Sequence, residues 1–516
     1  MNLSMLLTKT ARLFPEKPAI IHGERVLTYA RFNARVNRLA HALERLGVRQ
    51  GDNVAILQYN YPETLEALFA CFKLGAGAVP INFRLHPKEF AFIIDHSDAK
   101  AVILSAEFNR SILAVQDRIP KARFLISLAG GTDSLLDYET LLAGEEDAFS
   151  DAEVASGDLA WLFYTSGTTG MPKGAMLTHG NLLGMTMNFY ADIAPGFTCR
   201  DVILHAAPLS HGSGLYALPN IGKGATNVIL ASKSFDPPLV FRSIETYRVT
   251  NMFAAPTMIK MLIDHPEVAR YDLSSLRALN YGGAPMLRED LKKAIRKLGP
   301  CLVQLFGQGE SPMTISYLPH WAHQAEGSPE EIERLGSAGF PRTDVEVRIF
   351  DEDDRELPQG RIGEIVTRSQ MMMAGYWKNP EATAQTLKKG WLHTGDVGYL
   401  DENGYLFIID RSKDMIISGG ENIYPREIEE VLVQHPAVRE VSVIGVPDPK
   451  WGEAIKGVVS LNPGAAASEA ELIDFCKENI ASYKKPKSID FIEELPKNNY
   501  GKILKTALRG MLDDPN

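Results

Sequence analysis

Leu159–Thr178 reads LAWLFYTSGTTGMPKGAMLT. Its first five residues, Leu159–Phe163, form an apolar run of strand length, and Ala175–Thr178 offers a second strand. Between them Gly167, Gly170 and Gly174 allow close backbone approach, so successive amides can converge on phosphate oxygens. Thr165, Ser166, Thr168 and Thr169 add hydroxyls, and Lys173 adds a mobile cation. No Gly-x4-Gly-Lys-Ser/Thr is present, so this is not a Walker loop. A plain surface turn rarely gathers such a set behind a buried strand. The composition suits a polyphosphate that is held and later released.

Outward from this stretch, helical and strand patterns alternate. Tyr29–Leu46 and Tyr61–Gly75 read as helices; Asn53–Gln58, Ala78–Asn82 and Ala101–Ser105 read as short buried strands. Val202–Ala206, Thr226–Leu230, Asn251–Ala254 and Ala278–Tyr281 continue the theme, with helices at Pro256–Asp264 and Arg288–Leu298. That order predicts βαβ units and an α/β fold. From Gly336 short strands separated by turn clusters predict a smaller β-rich unit, and beyond about 410 a last α+β unit follows. The expected division is a large N-terminal domain, 1–410, with subdomains of about 1–155, 156–335 and 336–410, then a small C-terminal domain, 411–516.

With 516 residues, 45% hydrophobic and 23% charged, the chain has an ordinary globular composition. Its net charge of −10 offers no electrostatic footprint for nucleic acid. Four cysteines, Cys71, Cys199, Cys301 and Cys476, show no paired spacing, so neither a disulfide framework nor a zinc site is expected. The N-terminal apolar stretch is broken by Lys9 and Arg12, and no run approaches the roughly 20 residues that cross a bilayer. A cytoplasmic monomer or homodimer without an integral membrane segment is expected.

YTSGTTGMPKG, Tyr164 to Gly174, resembles the signature of the adenylate-forming superfamily, which includes acyl-CoA and aryl-CoA synthetases. Further motifs of that superfamily recur in order down to Lys502. Pro208-Leu209-Ser210-His211-Gly212-Ser213-Gly214 resembles its segment beside the acyl pocket, which implies His211 near the reacting carboxylate. Tyr281-Gly282-Gly283-Ala284-Pro285 implies adenine and acyl contacts by Gly282, Gly283 and Ala284. Phe306-Gly307-Gln308-Gly309-Glu310 resembles an aromatic-Gly-x-Thr-Glu motif, with Phe306 and Gly307 at the base and Glu310 as the oxygen ligand for Mg²⁺. Gly309 stands where the superfamily has Thr. Its missing side chain suggests a wider pocket, with Ser311 or a water replacing the lost hydroxyl.

Trp391-Leu392-His393-Thr394-Gly395-Asp396 resembles the ribose-binding element, so the resemblance assigns ribose to Asp396 and ribose or phosphate to Arg411. Lys413 matches the hinge position, so the resemblance implies that the small domain is mobile about a hinge at about 410–414, and Gly419 leaves room for the pantetheine arm of coenzyme A. Gly501-Lys502-Ile503 matches the lysine that enters the site during adenylation. The implied catalytic set is Lys502, Glu310, His211 and Thr169; Thr165, Ser166, Gly167, Thr168, Gly170 and Lys173 hold nucleotide.

These motifs imply a carboxylate–CoA ligase. ATP, with Mg²⁺, and a carboxylate form an acyl-adenylate, and coenzyme A then displaces AMP. Small residues around His211, with Gly309, suggest an open pocket and a medium- or long-chain fatty acid. An aryl or arylpropenoic acid is the alternative, as is loading of a separate carrier protein. Fourteen residues follow Lys502, so a fused carrier is not expected.

Overall fold

The computed structural model describes residues 1–131, 134–165, 172–284, 286–411, 414–418, 421–497 and 503–512. Four sheets carry the fold. The first has seven strands, in the order Leu136–Asp137, Phe124–Ser127, Ala99–Leu104, Asn53–Leu57, Gly77–Ile81, Leu159–Thr165 and Lys173–Thr178. All its pairs are parallel except the last. Asn53–Leu57 and Gly77–Ile81 are buried at every position, as strands covered on both faces must be. Helix Pro62–Leu74 crosses between them, started by Pro62 and ended by Gly75 in the left-handed conformation (φ 66°).

The second sheet has nine strands, with a parallel centre of Leu302–Gln308, Ala278–Gly282, Asn251–Ala254, Val202–His205, Thr226–Ile229 and Pro18–His22. The hairpin Pro18–His22/Arg25–Thr28 is thus an edge of the second sheet, although it precedes every strand of the first. Likewise Leu159–Thr178 completes the first sheet. The chain therefore crosses the subdivision expected near 155 in both directions, because strand pairing follows the apolar surface each strand can bury rather than its place in sequence.

A third, antiparallel sheet of five strands contains Glu346–Phe350, Gly363–Arg368, Trp391–Leu400 and Leu406–Arg411. The small C-terminal unit centres on the long hairpin Val438–Asp448/Gly452–Leu461. Helices Pro425–Leu432 and Glu469–Asn479 bury Ile428, Leu432, Leu472 and Cys476 against it. Across the described residues the chain is an α/β protein with a large N-terminal and a small C-terminal domain.

Candidate active site

One cleft of about 1250 Å³ lies at the carboxyl ends of the parallel strands of the second sheet. This is where open α/β sheets bind ligands, since the loops leaving the strands diverge there. The third sheet contributes Glu364, His393, Thr394 and Gly395 to its wall, and the small domain contributes Arg439, Glu440, Glu493, Glu494 and Lys497. Lys260 joins the two domains at the rim, donating to the Arg439 carbonyl at 3.1 Å while also reaching Asp290.

Thr165 pairs with Lys173 across antiparallel strands, so the ends of the glycine-rich stretch lie side by side, and both residues line the cleft. Ser166, Gly167, Thr168, Thr169 and Gly170 lie outside the described residues, as do Lys413, Gly419 and Lys502; of Arg411 only the backbone is described. The described neighbours of Lys502 are informative: Lys497 lines the cleft and bridges to Ile503. The residues of the strand Ile416–Ser418 are not part of the cleft lining, and Ile417 is half exposed.

Glu310 lines the cleft, and the Tyr376 hydroxyl donates to its Oε1 at 2.5 Å. The Lys173 ammonium sits 5.3 Å from the centre of the same tyrosine ring. A hard carboxylate held this way fits Mg²⁺ arriving on a triphosphate, which needs only one or two protein carboxylates beside phosphate oxygens and waters. No group of three His, Cys, Asp or Glu side chains placed to hold a metal ion occurs among the described residues.

Asp396 is nearly buried, and its carboxylate accepts from Gln308 Nε2 at 2.7 Å; the same amide donates to the Thr394 carbonyl at 2.8 Å. Asp396 also faces Arg411 in the strand register. Gln308 therefore ties the second sheet to the third where His393, Thr394 and Gly395 meet the cleft. Gly283 is left-handed (φ 82°) with open space beside it, whereas the Leu305 carbonyl fills the place of a Gly282 side chain. Gly282, Gly283 and Ala284 all line the cleft.

Phe306 departs from expectation. Its ring is 9% exposed and packs into the main core, while its neighbours Leu305 and Gly307 face the cleft. Strand alternation turns it inward. Ser311 cannot replace the hydroxyl lost at Gly309 either, because it is fully buried and bonded to Thr314 at 2.8 Å.

The glycines do not hollow the cleft around His211. A side chain at Gly309 would meet Thr165 Cγ2 at 2.5 Å and Phe163 Cδ1 at 2.9 Å; one at Gly214 would strike the Leu209 carbonyl, and one at Gly212 would press on Phe253. Each gap is filled by a neighbour, so the open-pocket argument is not supported.

His211 precedes helix Gly212–Lys223 and lies against Phe163, ring centres 4.7 Å apart. Burial lowers its pKa to about 4, so the imidazole is neutral near pH 7. Asn60 holds the preceding turn, donating to the Ala207 carbonyl and accepting from the Leu209 amide, both at 2.8 Å. Tyr164 is anchored by His96 Nδ1 at 2.8 Å. Sequence reasoning missed Tyr376, Gln308, Asn60 and His96. Their partners lie 66 to 149 positions away, and no spacing rule marks such pairs.

The AMP-binding enzyme family matches residues 7–377, and the AMP-binding enzyme C-terminal domain matches residues 427–502. A feruloyl-CoA synthase of Amycolatopsis sp is 42% identical over 503 residues, covering 97% of each chain. The medium/long-chain-fatty-acid–CoA ligase FadD8 of Mycobacterium tuberculosis is 34% identical over 524 residues, covering 98% of this chain and 89% of FadD8. Among solved structures, ATP-bound MatB from Rhodopseudomonas palustris superposes with a TM-score of 0.89 at 30% identity, covering 100% of this chain and 99% of MatB. No helix among the described residues is long and apolar enough to cross a membrane.

Proposed function

The chain belongs to the AMP-binding enzyme family, and on that premise we propose that it joins an aryl or arylpropenoic acid to coenzyme A through an acyl-adenylate. It is an AMP-forming acid–thiol ligase of the acyl- or aryl-CoA type. The observation that carries the narrower reading is the acyl end of the cleft. Phe163, His211 and Phe253 supply flat faces there, the glycine positions are filled, and Leu215, Leu305 and Met313 stand across its end. Flat walls favour a planar acid. The 42% identity to a feruloyl-CoA synthase points the same way.

In the first half-reaction a carboxylate oxygen attacks the α-phosphorus, and the bond to the β-phosphate oxygen breaks to release pyrophosphate. The attacking carboxylate is already ionised, so the step needs preorganised positive charge and donors more than a general base. Lys173 at the described end of the phosphate loop, and Lys502, are suited to that task. Glu310 would hold Mg²⁺, which shields the phosphate charge when bound. Asp396 and Arg411 would take the ribose, and Gly282–Ala284 the flat face of the base. In the second half-reaction the CoA sulfur attacks the acyl carbon, the bond to AMP breaks, and the thiol proton is lost. His211, neutral near pH 7, adds no fixed charge beside the carboxylate.

The small domain, 411–516, turns about 410–414 between the two steps. In this structure Lys497 lines the cleft and the Ile416–Ser418 strand does not, which suits the adenylation step. A water-excluding site protects the mixed anhydride.

A panel of ferulate, benzoate, hexanoate, palmitate and acetate, assayed by pyrophosphate release with and without CoA, tests the reading. The aryl acids should give the highest kcat/KM, with free thioester as product. Preference for palmitate would restore the fatty-acid reading, which the likeness to FadD8 supports. AMP release without thioester would point to a carrier protein as acceptor.

A further inference from the structure

Behind the acyl end of the cleft lies a second cavity of about 10 Å³. Leu215, Leu305 and Met313 line both spaces and form the partition. The volume suits one oxygen-sized group, and no alkyl chain.

Two polar side chains, Tyr216 and Arg342, border this otherwise apolar space. The Tyr216 ring is 1% exposed, held between Phe253 (5.5 Å, stacked) and Phe189 (5.6 Å, edge-on). Tyr216 lines the cavity, yet its hydroxyl finds no hydrogen-bond partner among the described residues. Such a buried group is costly unless something completes it. Arg342 also lines the cavity. Its Nε donates to Asp192 at 2.8 Å, Nη1 to the Met313 carbonyl at 2.7 Å and Nη2 to the Asn188 carbonyl at 2.9 Å.

That fork does two things. Its charge is balanced by Asp192, so the cavity invites an uncharged oxygen rather than a second carboxylate. It also pins Met313, which has φ 61° in a region that side chains seldom adopt. The partition is therefore positioned, not incidental.

We propose that this cavity is the distal subsite of the acyl chamber, and that Tyr216 selects planar acids carrying an uncharged oxygen, a ring hydroxyl or ether, at the end remote from the carboxylate. This deepens the aryl-acid reading above and rests on it. The Tyr216 hydroxyl completes its hydrogen bond only when such a substituent displaces the partition side chains and enters.

The test compares kcat/KM for 4-hydroxycinnamate and cinnamate in the wild type and Tyr216→Phe, with Tm measured alongside. The wild type should favour the hydroxylated acid by roughly three- to tenfold, the worth of one neutral hydrogen bond. Tyr216→Phe should erase that preference, leave cinnamate unchanged, and leave Tm equal or higher, because an unpaired buried hydroxyl is removed. Met313→Ala provides an independent arm: opening the partition should raise kcat/KM for 4-ethoxycinnamate relative to cinnamate. A preference that survives in Tyr216→Phe, an equal fall on both acids, or no gain in Met313→Ala would overturn the subsite. Activation of palmitate with neither cinnamate accepted would instead sink the aryl reading itself.

Discussion

The Tyr376 hydroxyl lies 2.5 Å from Glu310 Oε1, joining residues 66 positions apart across the mouth of the cleft. The same ring is 5.3 Å from the Lys173 ammonium, so one tyrosine orients a carboxylate and borders a cation. Glu310 is thereby left with one oxygen directed by the hydrogen bond and another available to a ligand.

Tyr376→Phe removes the donor but keeps the ring. It should raise the Mg²⁺ concentration needed for half-maximal ATP–pyrophosphate exchange by roughly tenfold, the lower end of what one hydrogen bond to a charged group supplies. Glu310→Ala should lower the exchange by at least about 100-fold at any Mg²⁺ concentration. An unchanged Mg²⁺ dependence in Tyr376→Phe would separate the tyrosine from the metal's ligand.

Gly309→Thr restores the residue usual in the superfamily, yet here it should be harmful. The new side chain would meet Thr165 and Phe163, and overpacking of that kind costs about 1–3 kcal/mol. Adenylation and Tm should both fall. Adding Thr165→Ser, which deletes the closest methyl, should recover part of each. A gain of activity in Gly309→Thr alone would mean that Thr165 and Phe163 yield.

His179, His205, His211 and His323 all have pKa values lowered by burial to about 4. Unfolded histidine titrates near 6.5, so the unfolded chain binds more protons between these values. Their contribution is complete above about pH 6.5 and is lost as pH falls toward 4. Glu66, pushed up by burial, opposes this as a single group. Each histidine steepens the loss by up to about 1.4 kcal/mol per pH unit. Tm should drop markedly from pH 7 to pH 5, with net proton uptake on unfolding; a flat profile would contradict the buried neutral rings.

Lys502→Ala should abolish acyl-adenylate formation while supplied acyl-AMP and CoA still give thioester. Lys413→Pro fixes φ near −65° at the proposed pivot and should spare adenylation while slowing the thioester step. Measuring the half-reactions separately decides it. Equal slowing of both steps by Lys413→Pro would count against a turning small domain.

Much of this was legible in the chain. Buried strands such as Asn53–Leu57 announce themselves by unbroken apolar runs, and the long helices by period and by end signals such as Pro62 and Gly75. The loops after Val202–His205, Ala278–Gly282 and Leu302–Gln308 fall together because these strands run parallel in one sheet and deliver their carboxyl ends to one edge. What stayed hidden depends on distant neighbours. The hairpin at Pro18–Thr28 joins the second sheet only because Ile20 and Ile21 pair with Asn227 and Val228. Gly309 reads as space in the sequence, and only Thr165 and Phe163 show that it is filled. Phe306 reads as a stacking face until strand register turns it into the core.

The most direct measurement is a single-turnover experiment with ferulate and ATP labelled in the α-phosphate, quenched before and after CoA is added. Feruloyl-AMP and pyrophosphate should accumulate without CoA, and adding CoA should convert the adenylate to feruloyl-CoA and AMP in equal amounts. ADP in place of AMP, or no adenylate until CoA is present, would contradict the account.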